Sequence, residues 1–292
     1  MKAAFIGCVD FSHDMLTRLL ARGVEVVGVV TRRASSFNAD FRSLAELTEP
    51  RGIPCLFVEG NDQNAITDAV RTWNPDVIFC LGWSFLLKPE LLALPRFGVI
   101  GYHPAQLPRN RGRHPLIWAL ALGLDETGST FFLMDDGADS GDIISQRRIS
   151  ITEQDDAASL YRKITDAAED QLDDIILGLI SGRLDRRPQD HARATYWRKR
   201  SRADGQIDWR MPVAGIRNLV RALNRPYVGA HCIWHGQDVK VWHAEPAAAA
   251  SDLEPGRVIE VVHGDIVVKC GDGAVRLVEH EFPTLPHLGE CL

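Results

Sequence analysis

Gly98-Val-Ile-Gly-Tyr-His103-Pro-Ala-Gln-Leu-Pro-Arg-Asn-Arg-Gly112 is an apolar, β-branched run that ends at a histidine and breaks into a loop punctuated by Pro and Gly. A second stretch, Ser129-Thr-Phe-Phe-Leu-Met134, leads into Asp136-Gly-Ala-Asp139-Ser-Gly-Asp142 and repeats the arrangement with an aspartate. Short apolar runs bounded by turn residues read as buried strands. Loops leaving a rigid sheet are where reactive groups are displayed. Together the two stretches predict a sheet that presents an imidazole and a carboxylate at its edge.

The chain around them fits that prediction. Strand patterns at residues 3–8, 24–31, 54–58 and 77–81 alternate with helix patterns at 14–21, 43–51 and 64–73. Further on, 116–122 reads as a helix, 129–134 and 143–148 as an antiparallel pair, and 155–181 as a long helix stopped by Gly182. Such alternation predicts an α/β fold with a Rossmann-like, doubly wound, mostly parallel sheet over residues 1–200. After residue 200 the pattern changes. One amphipathic helix at 213–222 precedes short segments at 230–234, 239–244, 256–262, 266–270 and 275–279, separated by Gly-containing turns. Residues 201–292 therefore read as a smaller, OB-like β-barrel domain.

Composition narrows the function. The 292 residues carry 33 basic and 39 acidic groups, a net charge of -6. That balance argues against a nucleic-acid partner, which calls for a basic stripe. Two short basic clusters, at 109–113 and 198–202, can still serve one anionic small molecule. The six cysteines form no Cys-x-x-Cys pair, and His114, His231, His235 and His243 are dispersed. No metal site is expected. Scattered cysteines inside apolar runs suit reduced thiols in the cytoplasm. The chain starts at once in a strand, and no apolar run reaches the ~20 residues that span a bilayer, so neither a signal peptide nor a membrane partner is expected.

The loop His103-Pro-Ala-Gln-Leu-Pro-Arg-Asn-Arg-Gly112 resembles the His-Pro-Ser-Leu-Leu-Pro-x-x-Arg-Gly loop of the folate-dependent formyltransferases, a family that includes methionyl-tRNA, glycinamide ribonucleotide and sugar N-formyltransferases. Gly137-Ala-Asp139-Ser-Gly-Asp142 resembles that family's Gly-x-Asp-Thr-Gly-Asp. Asp204-Gly-Gln-Ile-Asp-Trp209 and Asn218-Leu-Val-Arg-Ala-Leu-Asn-Arg-Pro-Tyr-Val-Gly-Ala230 resemble its second domain, so the likeness covers nearly the whole chain. It implies the formyltransferase fold and transfer of a formyl group from N10-formyltetrahydrofolate to an amine. By the same resemblance His103 is the base and Asp139 its orienting partner. Trp83, Phe85, Leu86 and Leu87 form one wall of the pterin pocket, with Asp136 and Ala138 in the other. Asn110 and Arg111 contact the substrate.

The chain departs from the pattern at Gly101, where the family carries an asparagine that holds the formyl oxygen. Another donor replaces it, the geometry differs, or the protein only binds folate or a nucleotide sugar. Gly7-Cys-Val-Asp-Phe-Ser-His13 and Phe37-Asn-Ala-Asp-Phe41 resemble the sugar-nucleotide enzymes, and the segment 31–42 lacks a long basic insertion. The expected acceptor is thus a nucleotide-linked amino sugar destined for a surface polysaccharide such as lipopolysaccharide, with methionyl-tRNA as the alternative. A homodimer is compatible with the strand edges such enzymes expose.

Overall fold

β1 (Lys2–Ile6) opens a seven-stranded sheet whose order is β3-β2-β1-β4-β5-β7-β8. Its other members are β2 (Glu25–Thr31), β3 (Cys55–Phe57), β4 (Val77–Cys80), β5 (Val99–His103), β7 (Glu126–Leu133) and β8 (Ile143–Ser150). The pairs β1–β2, β2–β3, β1–β4 and β4–β5 are parallel, and β5–β7 is antiparallel. The computed structural model describes residues 1–35 and 39–292, so Phe37 and Asn38 of the sugar-type loop lie outside the described residues. Apolar strands explain the arrangement. Ala4, Ile6, Val30, Ile78 and Val99 are sealed in one core, as continuous β-branched runs require when both faces of a parallel sheet are covered.

Helices link the strands. α1 (Asp10–Ala21) starts four residues before the expected 14–21. The Ser12 hydroxyl explains the early start: it accepts the amides of Cys8 and Val9 and donates to the Leu81 carbonyl at 2.6 Å, so a polar-looking stretch is satisfied internally. The single helix expected at 43–51 is instead α2 (Ala45–Thr48) followed by a 3-10 turn, Glu49–Arg51. Pro50 cannot donate into an α-helical ladder. α3 (Gln63–Trp73), α4 (Pro89–Leu92), α5 (Pro115–Ala121), α6 (Ala157–Ser181) and α7 (Val213–Leu223) complete the set. A two-residue parallel pair, β6 (Arg111–Gly112) with β9 (Tyr196–Trp197), joins the histidine loop to a segment far along the chain.

The chain packs as two units. One comprises Met1–Gly112, Gly128–Ile149 and Arg162–Trp197; the other comprises Arg113–Thr127, Ser150–Tyr161 and Arg198–Leu292. The second holds an antiparallel sheet in the order β10-β11-β14-β13-β12. Its strands are β10 (Ala230–Trp234), β11 (Gln237–Ala247), β12 (Val258–Val262), β13 (Asp265–Lys269) and β14 (Ala274–His280). α7 buries Ile216, Leu219, Val220 and Leu223, the 3–4 spacing of one helix face. Among the described residues no helix is long and apolar enough to cross a membrane, and no His/Cys/Asp/Glu cluster could hold a metal.

Candidate functional site

Strand order locates the crevice. β1 and β4 are neighbours, with β2 beyond β1 and β5 beyond β4, so the winding reverses between them. In open α/β sheets ligands sit outside the carboxyl ends of the strands at such a reversal. Gly7 follows β1 at that end, Leu81 and Gly82 follow β4, and β5 terminates on His103.

His103 is buried, with its side chain 5% exposed. Its Nε2 lies 2.7 Å from the Asn110 carbonyl. A carbonyl only accepts, so Nε2 carries a hydrogen toward it. Nδ1 faces Asp139, whose Oδ2 is 3.4 Å away. That carboxylate oxygen also accepts the Gly112 amide at 2.8 Å and is the more accessible partner, at 19% exposure. The backbone behind the ring is held tightly. The Thr130 hydroxyl donates to the Ala105 carbonyl at 2.6 Å, and the Gln146 amide donates to the Leu107 carbonyl at 2.9 Å. Gly128 permits this approach, since a Cβ there would stand 2.8 Å from the backbone of Ala105 and Gln106. Beneath the strand, the Tyr102 hydroxyl meets Ser129 Oγ at 2.7 Å and its ring stacks on Phe11. Burial pushes its phenol well above the usual range, so it stays neutral.

The aspartate loop is fixed from two sides. Asp135 Oδ1 accepts the Gly137 amide and the Ser140 hydroxyl. Gln189 donates its side-chain amide to the carbonyls of Asp139 and Gly141, at 2.9 and 2.6 Å. Asp139 itself sits at φ 54, a left-handed conformation uncommon for a residue with a Cβ.

Arg111, expected to face the substrate, is placed as a strut. It is 1% exposed. Nε and Nη2 donate to Gln189 Oε1, Nη1 donates to the Tyr196 hydroxyl, and Nη2 lies 3.3 Å from His191 Nδ1. The guanidinium therefore acts on the Asp139 loop through Gln189 and points no fork outward. Gln189, His191, Thr195 and Tyr196 were not singled out by sequence reasoning. They are isolated polar residues in a loop about 80 positions away, with no periodicity to mark them.

The expected pterin wall divides. Leu87 is 3% exposed and belongs to the sheet core, whereas Leu86 is 52% exposed. Trp83 and Phe85 are half-buried, their rings 5.9 Å apart, and the Arg32 guanidinium lies over both. Trp83 Nε1 is buried and finds no hydrogen-bond partner among the described residues. Asp136 is exposed and Ala138 half-buried. Asn110 touches His103 directly and is partly exposed, beside the exposed Arg109.

Two alternative centres offer less. A hollow of about 730 Å³ in the second unit is lined by Trp234, His235, Leu285, Leu288 and Glu290, without a nucleophile and base in contact. None of the six cysteines forms a disulfide, but burial pushes Cys8 up to about 11 and Cys232 up to about 12, so neither supplies a thiolate.

Comparison with known proteins gives a consistent picture. A family model described as Formyl transferase matches residues 1–176, and one described as Formyl transferase, C-terminal domain, matches residues 199–286. A methionyl-tRNA formyltransferase from Caldanaerobacter subterraneus subsp. tengcongensis is 34% identical, over 96% of this chain and 91% of its own length. Among solved structures, HypX from Aquifex aeolicus in complex with tetrahydrofolic acid superposes with a TM-score of 0.71 at 19% identity, over 96% of this chain and 44% of that one. This chain thus spans under half the length of HypX. An N-formyltransferase from Helicobacter canadensis in complex with folinic acid and dTDP-3-aminofucose gives 0.69 at 17% identity, over 96% and 99%. At such identities the structural likeness speaks for the fold alone.

Proposed function

The chain belongs to the formyl transferase family, and on that premise we propose that it moves a formyl group from N10-formyltetrahydrofolate onto the amine of a nucleotide-linked amino sugar. The observation that carries the reading is the buried imidazole facing a carboxylate at 3.4 Å. The folate supplies an activated formamide carbon. His103 takes the proton that the attacking amine must lose, at Nδ1, the ring nitrogen that does not face the Asn110 carbonyl. Asp139 neutralises the imidazolium so formed and, through the Gly112 amide, stays fixed while it does. Returned to the departing folate nitrogen, the same proton completes the exchange of one amide for another.

Local chemistry suits a folate. Trp83 has a buried indole N–H without a hydrogen-bond partner among the described residues, and Phe85 and Leu86 leave apolar surface beside it, which matches a flat heterocycle with acceptors at its edge. Asp136 and Ala138 would border the same ligand. Asn110 and the exposed Arg109 are the groups beside His103 that an acceptor would meet; a guanidinium suits a diphosphate.

Net charge of -6 and the absence of a long basic insertion at 31–42 support a small acceptor over an RNA. A surface polysaccharide precursor, such as one for lipopolysaccharide, fits this chemistry. Six cysteines outside any disulfide support a reducing compartment, the cytoplasm, where such precursors and folates are made. A second reading, methionyl-tRNA as acceptor, is favoured by the relative at 34% identity over 96% of the chain. The test is direct: supply N10-formyltetrahydrofolate with a panel of nucleotide-linked amino sugars or with methionyl-tRNA, and follow released tetrahydrofolate and the formylated product. Turnover with an amino sugar supports the proposal, and turnover with methionyl-tRNA alone replaces it. His103→Ala should abolish turnover while folate binding persists.

A further inference from the structure

Amine attack on a formyl carbon drives electron density onto the formyl oxygen, and an efficient site aims a hydrogen-bond donor at it. The donors around His103 can be followed one by one. Gly101, two residues upstream on the same face of β5, has no side chain. A Cβ there would stand 2.8 Å from Met134 Cγ and 2.9 Å from Phe132 Cζ, so that space is already filled. The Nε2 hydrogen of His103 is taken by the Asn110 carbonyl. The Gly112 amide is taken by Asp139.

Asn110 supplies what is left. Its backbone amide donates to Thr195 Oγ1 at 2.8 Å, and the Thr195 hydroxyl donates back to Asn110 Oδ1 at 3.2 Å. The second contact turns the oxygen end of the side chain toward Thr195 and leaves Nδ2 with two hydrogens and no hydrogen-bond partner among the described residues. The residue sits at φ 62, a left-handed conformation that asparagine tolerates better than most residues. Strain of that kind persists where surrounding contacts over-determine a geometry, and here three hydrogen bonds do so.

We propose that the Asn110 side-chain amide donates to the formyl oxygen as charge builds there, and that Thr195 is the positioning residue that sets the amide's direction. The inference rests on the reading of His103 and Asp139 as the proton-transfer pair. As the new C–N bond forms, the carbonyl π pair moves to the oxygen and is met by Nδ2–H. The pair returns when the folate nitrogen leaves, carrying the proton relayed by His103.

The experiment compares wild type, N110G, N110D, T195V and H103A in single-turnover and steady-state assays with the acceptor that supports turnover. Glycine keeps the left-handed backbone without strain and removes only the donor. N110G should lower kcat by about 10²–10³-fold, the usual effect of deleting one such donor, with KM for the folate changed by less than about threefold. N110D keeps an oxygen for Thr195 and sets an acceptor where the donor stood, so it should be at least as slow; it decides the matter should N110G fold poorly. T195V should lose about tenfold in kcat with little change in folate binding, the effect expected of a mis-set amide. N110G or N110D within about threefold of wild type, alongside an inactive H103A, overturns the assignment of Asn110 alone. An active H103A overturns the reading of the site on which it rests.

Discussion

Replacing Arg111 by methionine separates a strut from a substrate ligand. Methionine keeps most of the side chain's length and removes every donor. Two short contacts are lost, Nη2 to Gln189 at 2.6 Å and Nη1 to Tyr196 at 2.9 Å. Hydrogen bonds from a charged donor contribute about 1.5 kcal/mol or more each, so the pair is worth ~3 kcal/mol. Leaving Gln189 Oε1 without a donor at 6% residue exposure adds to the loss. Removing a buried cation offsets part of it. A net destabilisation of about 3 kcal/mol lowers Tm by roughly 6–12 °C in a protein of this size. Gln189 holds the carbonyls of Asp139 and Gly141, so kcat should fall by about tenfold or more as the loop slackens. KM for the acceptor should stay within about threefold of wild type. Adding Gln189→Ala to Arg111→Met should cost less than the sum of the two single changes, because they act through one contact. Thermal denaturation and steady-state kinetics read all of this. An unchanged Tm with acceptor KM raised tenfold would refute the buried-strut account and return Arg111 to the substrate.

Two further changes probe the scaffold. Gly128→Ala places a Cβ 2.8 Å from the backbone of Ala105 and Gln106; it should cost ~1–3 kcal/mol in stability and about 10²-fold in kcat, and activity within twofold of wild type would show that the loop after His103 gives way freely. Burial, reinforced by Arg113, Arg200 and Lys199, lowers His114 from 6.5 to about 4. Between those two values the unfolded chain binds a proton that the folded one refuses, so this residue's contribution to stability falls as pH drops through that window. His114→Asn, which tolerates the φ of 57, should flatten the pH dependence of the unfolding free energy, taken from urea titrations between pH 6.5 and 4, by about 1–2 kcal/mol after allowance for solvent screening; curves that stay parallel to wild type would sink the argument.

Parallel sheet and long helices were legible because their signal is local. Runs such as 77–81 and 99–103 are apolar and β-branched, and each became a strand of the expected sheet. The helix start at Asp10 was not legible, because Ser12, whose hydroxyl accepts the Val9 amide at the helix start, is held in place by donating to the Leu81 carbonyl 69 positions away. At the site, the sequence brought forward His103 and Asp139, which the structure places side by side. The orientation of Arg111 was hidden for a different reason. A motif reports which residue types recur, whereas burial depends on partners 78 and 85 positions away. Leu86 and Leu87 show the same limit at short range: adjacent apolar residues in one loop, one at 52% exposure and the other at 3%.

The small parallel pair of β6 with β9 has a consequence for the order of synthesis. Arg111 and Gly112 gain their partners only when Tyr196 and Trp197 arrive, and Gly112 is the residue that anchors the Asp139 carboxylate. Chains leave the ribosome at roughly 5–20 residues per second and fold from the N-terminus onward. The strand ending on His103 and the loop bearing Asp139 are therefore made well before the segment that clasps them. The nascent protein acquires its scaffold early and its working geometry late, when the segment bearing Gln189, Thr195 and Tyr196 has emerged from the exit tunnel.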